Sequence, residues 1–397
     1  MKTLFTVVVI IVVFLAGCRK SQILEATSIG PECPWVDSSN QHPKDAAFRS
    51  LLEKYKKLGL PGISLLVNDA HGTWIGATGK ADIGNNIDFV PGTISKAASI
   101  TKLFMGTLVF KLMEDSATSG MGYHSLDKKV KEWLPARITD RLPNGNEITL
   151  GQCLKHETGL PDVIQEDKFY LAVLNNPNKK WKAEELLEFI NNKTPDFAPG
   201  DTAVYSNSNY IIVTMILEAQ TGRKHADLLK EYILKPLGLN NTFYQPFDQL
   251  PSSTAQGYYD LYNNQSIVNV SNLVTGSGNG YGGIYSNLFD LFKFENALFI
   301  EKTLLKPSSL AIMQTYGKKD DANYYGYGVQ KSYIQPDGAY AIGHKGRDLG
   351  YSANLFYFPQ KGVSHIFFIN YGTDAESKLK DVFRQFVDEL IVLTLQS

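Results

Sequence analysis

Ser99 and Lys102 stand three residues apart at the head of an apolar run from Ile100 to Met113. On a helix that spacing puts both side chains on one face, so the lysine amine reaches the serine hydroxyl. A serine hydroxyl is a poor nucleophile at neutral pH until a neighbouring base takes its proton. A lysine among apolar side chains loses solvation of its charged form, which lowers its pKa toward the range of a working base. The pair therefore reads as an activated nucleophile for acyl transfer. The same spacing recurs at Ser125–Lys128, in a polar turn, and at Ser377–Lys380, which opens an amphipathic helix. Neither of those puts its lysine in apolar surroundings.

Two more short motifs follow, Tyr205-Ser206-Asn207 after Pro199-Gly200, and His344-Lys345-Gly346. Tyr-x-Asn also occurs at 262–264 and 285–287, without the preceding Pro-Gly. With Ser99-x-x-Lys102, these motifs resemble the serine β-lactamase and penicillin-binding superfamily. The resemblance is nearest to the branch of class C β-lactamases, D-Ala-D-Ala carboxypeptidases, D-aminopeptidases and β-lactamase-like esterases. Thr149–Leu160, Pro236–Leu239 and Gly282–Ile284 extend it over residues 45 to 395.

The resemblance implies that Ser99 becomes the acyl-enzyme and that Lys102 and Tyr205 move the proton. It implies that Asn207 binds the substrate's amide carbonyl, and that the backbone N–H groups of Ser99 and Arg347 form the oxyanion hole. Gly346 would let substrate approach the strand edge. His344 would offer a hydrogen bond or charge toward Tyr205 or a substrate carboxylate. The Arg347 side chain is either a second carboxylate partner or a solvated charge at a strand end. The chain contains no Lys-Thr-Gly, the third motif of the β-lactamases. His-x-Gly resembles the carboxypeptidase and aminopeptidase members, which argues against efficient β-lactam hydrolysis. The expected function is hydrolysis of a D-amino-acid peptide or amide, D-Ala-D-Ala carboxypeptidase-like. A carboxylesterase using the same residues is the alternative; a β-lactamase or a non-catalytic cell-wall-binding lipoprotein ranks behind it.

Several classes have no support in composition. The 39 basic and 40 acidic residues give a net charge of −1, with no basic block to hold nucleic acid. His156-Glu157 begins like a zinc-protease helix motif, but position 160 is Leu, and no metal is expected. Gly278–Gly283 matches a dinucleotide glycine pattern without its strand-then-helix context, and reads as a flexible loop near a site. No cofactor is expected. The partner is a small-molecule or peptide substrate, with a peptidoglycan stem peptide among the candidates.

The elements that must position these residues follow from periodicity. Lys2, the apolar run Leu4–Leu15 and Ala16-Gly17-Cys18 read as a lipoprotein signal peptide over 1–17 with lipidation at Cys18. The body would then be exported and tethered to a membrane, facing the periplasm or the cell exterior. Residues 18–44, polar and broken by prolines, read as a spacer. Cys33 and Cys153 read as unpaired thiols. The body, 45–397, is expected to be an α/β (α+β) fold. Strands at 63–67, 73–78, 325–333, 339–344, 353–358 and 364–369 make one antiparallel sheet from both ends of the chain. Helices are predicted from Asp45, over Ile100–Met113, 149–154, 182–191, 210–221, 225–239 and 286–299, and over Leu379–Leu390. The sheet lobe would comprise 45–95 and 284–397, and an inserted, mostly helical lobe 96–283. With 43% hydrophobic residues the chain can fill a large core.

Overall fold

Leu65–Val67 and Ile366–Ile369 are apolar without alternation, the pattern of strands covered on both faces. The computed structural model, which describes residues 33–264, 266–317, 323–373 and 377–396, places both runs at the centre of one antiparallel sheet. Helix α1 (Asp45–Lys57) precedes strands β1 (Gly62–Asp69), β2 (Gly72–Asp82), β3 (Ile87–Asp88) and β4 (Ser95–Ala98). Helices α2 (Thr101–Glu114), α3 (Leu150–Leu154) and α4 (Ser208–Thr221) lie in the middle of the chain. Short strands β5 (Phe243–Tyr244), β6 (Tyr258–Tyr259), β7 (Val268–Asn269) and β8 (Ile284–Ser286) lead to α5 (Leu288–Glu295). Strands β9 (Tyr324–Tyr325), β10 (Gln330–Ser332), β11 (Ala341–Asp348), β12 (Tyr351–Phe358) and β13 (Val363–Ile369) precede α6 (Lys378–Leu395).

The main sheet runs β3-β2-β1-β13-β12-β11-β10-β9. Its two halves meet where β1 pairs with β13, from Ile63 opposite Ile369 to Asn68 opposite Ser364. Side chains alternate between faces along each strand. Leu65, Val67, Trp74, Phe356 and Phe367 join Phe48 of α1 and Phe386 of α6 in one core. Leu66, Ile75, Leu355 and Phe368 face the other, larger core with Phe104 of α2 and Phe294 of α5. Helix α2 is buried from Thr101 to Met113 except at Lys111, as an apolar stretch without a polar face requires. The mixed α/β architecture expected from the sequence is the one found.

Three expectations need correction. The segment read as one strand over 325–333 is two, β9 and β10, separated by a turn in which Gly328 has φ +87°. The turn presses on α2 so closely that a Cβ on Gly106 would lie 2.5 Å from Tyr327 O. Second, Gly278–Gly283, read as a flexible loop near a site, does border the site, but as a buried and tightly folded segment. Residues 275–283 are buried, and Gly278, Gly280 and Gly283 take φ of +87°, +83° and +118° to fold tightly. Third, the spacer ends early: from residue 33 the chain packs on the body. Trp35 meets Phe289 edge-on at 5.0 Å, and Ser39 Oγ accepts from Ile75 N at 2.8 Å. Polar, proline-rich composition hid those contacts. The proposed signal segment and Cys18 lie outside the described residues. Cys33 and Cys153 are both free thiols.

Candidate active site

Ser99 sits where β4 turns into α2. Ala98 just before it has φ +50°, a left-handed conformation that is uncommon for a residue with a Cβ. The turn is held by Ile100 N donating to Ala97 O at 3.1 Å and Thr101 Oγ1 donating to Ala98 O at 2.7 Å. One helical turn on, Lys102 is completely buried, and its Nζ has three neighbours. Ser99 Oγ lies at 3.0 Å, Asn207 Oδ1 at 2.7 Å and Tyr281 O at 2.8 Å. Burial brings the Lys102 pKa down to about 7, against the opposing pull of the Asp162 and Asp348 carboxylates.

Asn207 lies at the start of α4, and its amide is oriented by chemistry on both sides. Its Nδ2 donates to Asp162 Oδ2 at 2.9 Å, and its backbone N–H donates to Asp162 Oδ1 at 3.0 Å. With the NH2 fixed by a carboxylate, the amide oxygen faces the lysine. Asp162 is partly buried, and desolvation raises its carboxyl to about 6. The segment carrying Asp162 is knitted to the Tyr205-Ser206-Asn207 turn. Ser208 Oγ donates to Pro161 O at 2.7 Å, and Ser206 N donates to His156 Nδ1 at 3.2 Å.

Tyr205 is half-buried, its ring 4.8 Å from Lys102 Nζ and 4.5 Å from the His156 ring. His344 comes from β11, with its ring centre 6.3 Å from that of Tyr205. Burial first, and then the Lys102 charge, hold His344 well below the usual imidazole pKa. It is therefore neutral, with Nδ1–H donating to Lys345 O at 2.6 Å and Nε2 left as an acceptor. Gly346 passes so near β4 that a Cβ there would lie 2.1 Å from Ala97 O. Ser99, Asn207, Tyr281 and the Arg347 segment border one cavity of 20 Å³.

Arg347 differs from both readings of its side chain. Its guanidinium crosses to the helix-covered face, donating to Gly346 O, Ala353 O and Asn354 Oδ1, and lies 4.5 Å from the Phe383 ring centre. Its backbone remains at the site. The sequence reading missed Asp162, Tyr281 and a buried pair, Lys96 Nζ to Asp348 Oδ2 at 2.7 Å. Leu160-Pro161-Asp162 carried a weak signal, an Asp heading a short turn whose Ile164 N it accepts. Tyr281 acts through its backbone, which no side-chain pattern reveals. Among the described residues, no group of three or more His, Cys, Asp or Glu is placed to hold a metal ion.

The Beta-lactamase family model matches residues 45–387. The chain belongs to this family. Penicillin-binding protein 4 of Amycolatopsis lactamdurans is 24% identical over 349 residues, covering 83% of this chain and 86% of that protein. The D-aminopeptidase of Cereibacter sphaeroides is 26% identical over 348 residues, covering 84% of this chain but 60% of its own longer one. Among solved structures, a D-stereospecific amidohydrolase from Streptomyces sp. superposes with a TM-score of 0.71. It is 26% identical and covers 82% of this chain and 94% of its own.

Proposed function

We propose that the chain is a serine hydrolase that cleaves amides or short peptides of D-amino acids through an acyl-Ser99 intermediate. One observation carries the chemistry. Two of the three neighbours of Lys102 Nζ, Asn207 Oδ1 and Tyr281 O, can only accept. In the neutral amine they take both N–H bonds, so the lone pair is directed at the Ser99 hydroxyl. Lys102 then removes the Ser99 proton as Oγ bonds to the substrate's carbonyl carbon. The carbonyl oxygen gains charge facing the backbone N–H groups of Ser99 and Arg347. The C–N bond breaks, the leaving nitrogen receives the proton through Lys102 and Tyr205, and water later hydrolyses the ester by the same route. The second Nδ2 hydrogen of Asn207 is directed to the substrate's amide carbonyl.

The D preference is supported by the relatives, a D-aminopeptidase and a D-stereospecific amidohydrolase. Export as a lipoprotein on Cys18 is supported by the basic start, the apolar run and Ala16-Gly17-Cys18. Intact-mass analysis tests the catalytic reading. Wild type treated with a fluorophosphonate should gain one adduct, and should release p-nitroaniline from D-alanine p-nitroanilide faster than from its L isomer. Ser99→Ala should do neither. Labelling without amide turnover would move the assignment to an esterase, and labelling of Ser99→Ala would remove the nucleophile.

A further inference from the structure

β11 turns alternate residues to the site, so Asp348 shares the face of His344 and Gly346. Asp348 borders the same cavity as Ser99. Thr275 Oγ1 lies 2.9 and 3.1 Å from its two oxygens, Leu349 N donates to Oδ1 at 2.7 Å, and Lys96 pairs with Oδ2. These three donors fix the group while leaving part of its capacity, since a carboxylate offers about four acceptor positions. The pair is lopsided. Asp348 keeps 14% of its side chain exposed against 4% for Lys96, and the lysine does not border the cavity.

The other charges near Ser99 point the same way. Arg347 sends its guanidinium to the opposite face, and Lys345 alternates to that face as well. His344 is neutral and presents an acceptor. With Lys102 neutral, the carboxylates of Asp162 and Asp348 stand, among the described residues, against the ammonium of Lys96. Beyond the N–H groups that face the reacting and amide carbonyls, a substrate carboxylate at this cavity would meet negative charge, whereas an ammonium would meet Asp348.

We infer that Asp348 is the subsite for the substrate's free α-ammonium, so that the enzyme acts on unblocked amino-acid amides and on the N-terminal residue of peptides. The inference rests on the amide-hydrolase reading above. That amine is two bonds from the carbonyl carbon Ser99 attacks, and both residues border one small cavity.

The test compares D-alanine p-nitroanilide with its N-acetyl derivative. Wild type should favour the free amine in kcat/KM by roughly tenfold to a hundredfold, the weight of one charge-assisted hydrogen bond. The pH profiles should also differ. Both need neutral Lys102, whose facing groups are Asp162 and Asp348, the rings of Tyr205, Tyr210 and Tyr281, and His156 and His344, which stay neutral. The free-amine substrate should lose rate again as its own ammonium deprotonates near ~8, and the acetylated one should not. Asp348→Asn should erase the preference and the falling limb. That variant strands a buried ammonium, so Lys96→Met/Asp348→Asn is measured beside it, with fluorophosphonate labelling to report an intact site. Equal or better use of the acetylated substrate by wild type would overturn the subsite. So would an unchanged preference in a labelled double variant. Turnover of neither amide by labelled protein would overturn the amide reading itself, a separate failure.

Discussion

A neutral amine has two N–H bonds and one lone pair, and at Lys102 the neighbours decide where each goes. Asn207 Oδ1 and Tyr281 O take the hydrogens, and Ser99 receives the lone pair. Asp162 touches neither Ser99 nor substrate in this arrangement, but it fixes the Asn207 amide and raises the proton affinity of Lys102 by its charge. It is a positioning residue. Asp162→Asn should lower kcat/KM by roughly tenfold or more, the cost of a disturbed buried hydrogen bond. It should also move the acid limb of the pH–rate profile below the wild-type value, because a charge that favours protonated Lys102 is gone. A packing defect alone would leave that limb in place. The Ser99–Lys102 pair was legible in the sequence because helical spacing decides it locally. Asp162 was not, because its partner lies 45 residues away and the contact exists only once two segments are folded together.

At the scale of elements, the site depends on how closely β11 passes β4. Gly346 makes this possible: a Cβ would meet Ala97 O, a backbone atom that cannot rotate aside. Gly346→Ala should therefore push the strand carrying the Arg347 amide away from Ser99. Overpacking of this kind costs about 1–3 kcal/mol of stability. The expected result is a lowered but still cooperative melt with Ser99 labelling slowed at least tenfold. A melt shift without slowed labelling would mean the oxyanion site lies elsewhere. The strands themselves were readable from apolar runs and Pro/Gly turns, and so was the buried helix α2. The break between β9 and β10 was not: Gly326-Tyr327-Gly328 lies in an aromatic run that fits a strand. Close packing on Gly106, more than 200 residues away, bends it.

The whole molecule carries other buried ionisable groups whose effect is on folding. Glu295, at the end of α5 in the larger core, is fully buried, and desolvation lifts its carboxyl to about 8. The folded state thus keeps a proton that the unfolded chain loses above the ordinary carboxylate range. From there up to about pH 8 the unfolded chain binds fewer protons, so this group's contribution to stability falls as pH rises. Glu295→Gln mimics the protonated form. Its melting temperature should match wild type near pH 5 and exceed it by a widening margin toward pH 8. A margin constant with pH would mean that Glu295 is ionised in the fold. Buried His156, His344 and His365 have depressed pKa values and act below about pH 6.5 in both proteins, so the difference isolates Glu295.

The central claim is that a buried, neutral lysine activates Ser99. The rate of fluorophosphonate labelling, followed by intact mass from pH 5 to 9 in wild type and Ser99→Ala, tests it most directly. One adduct should form on wild type, with a rate that rises through about pH 7 as Lys102 loses its proton, and none on the variant. A rate independent of pH across that range, or an adduct that survives Ser99→Ala, would contradict it.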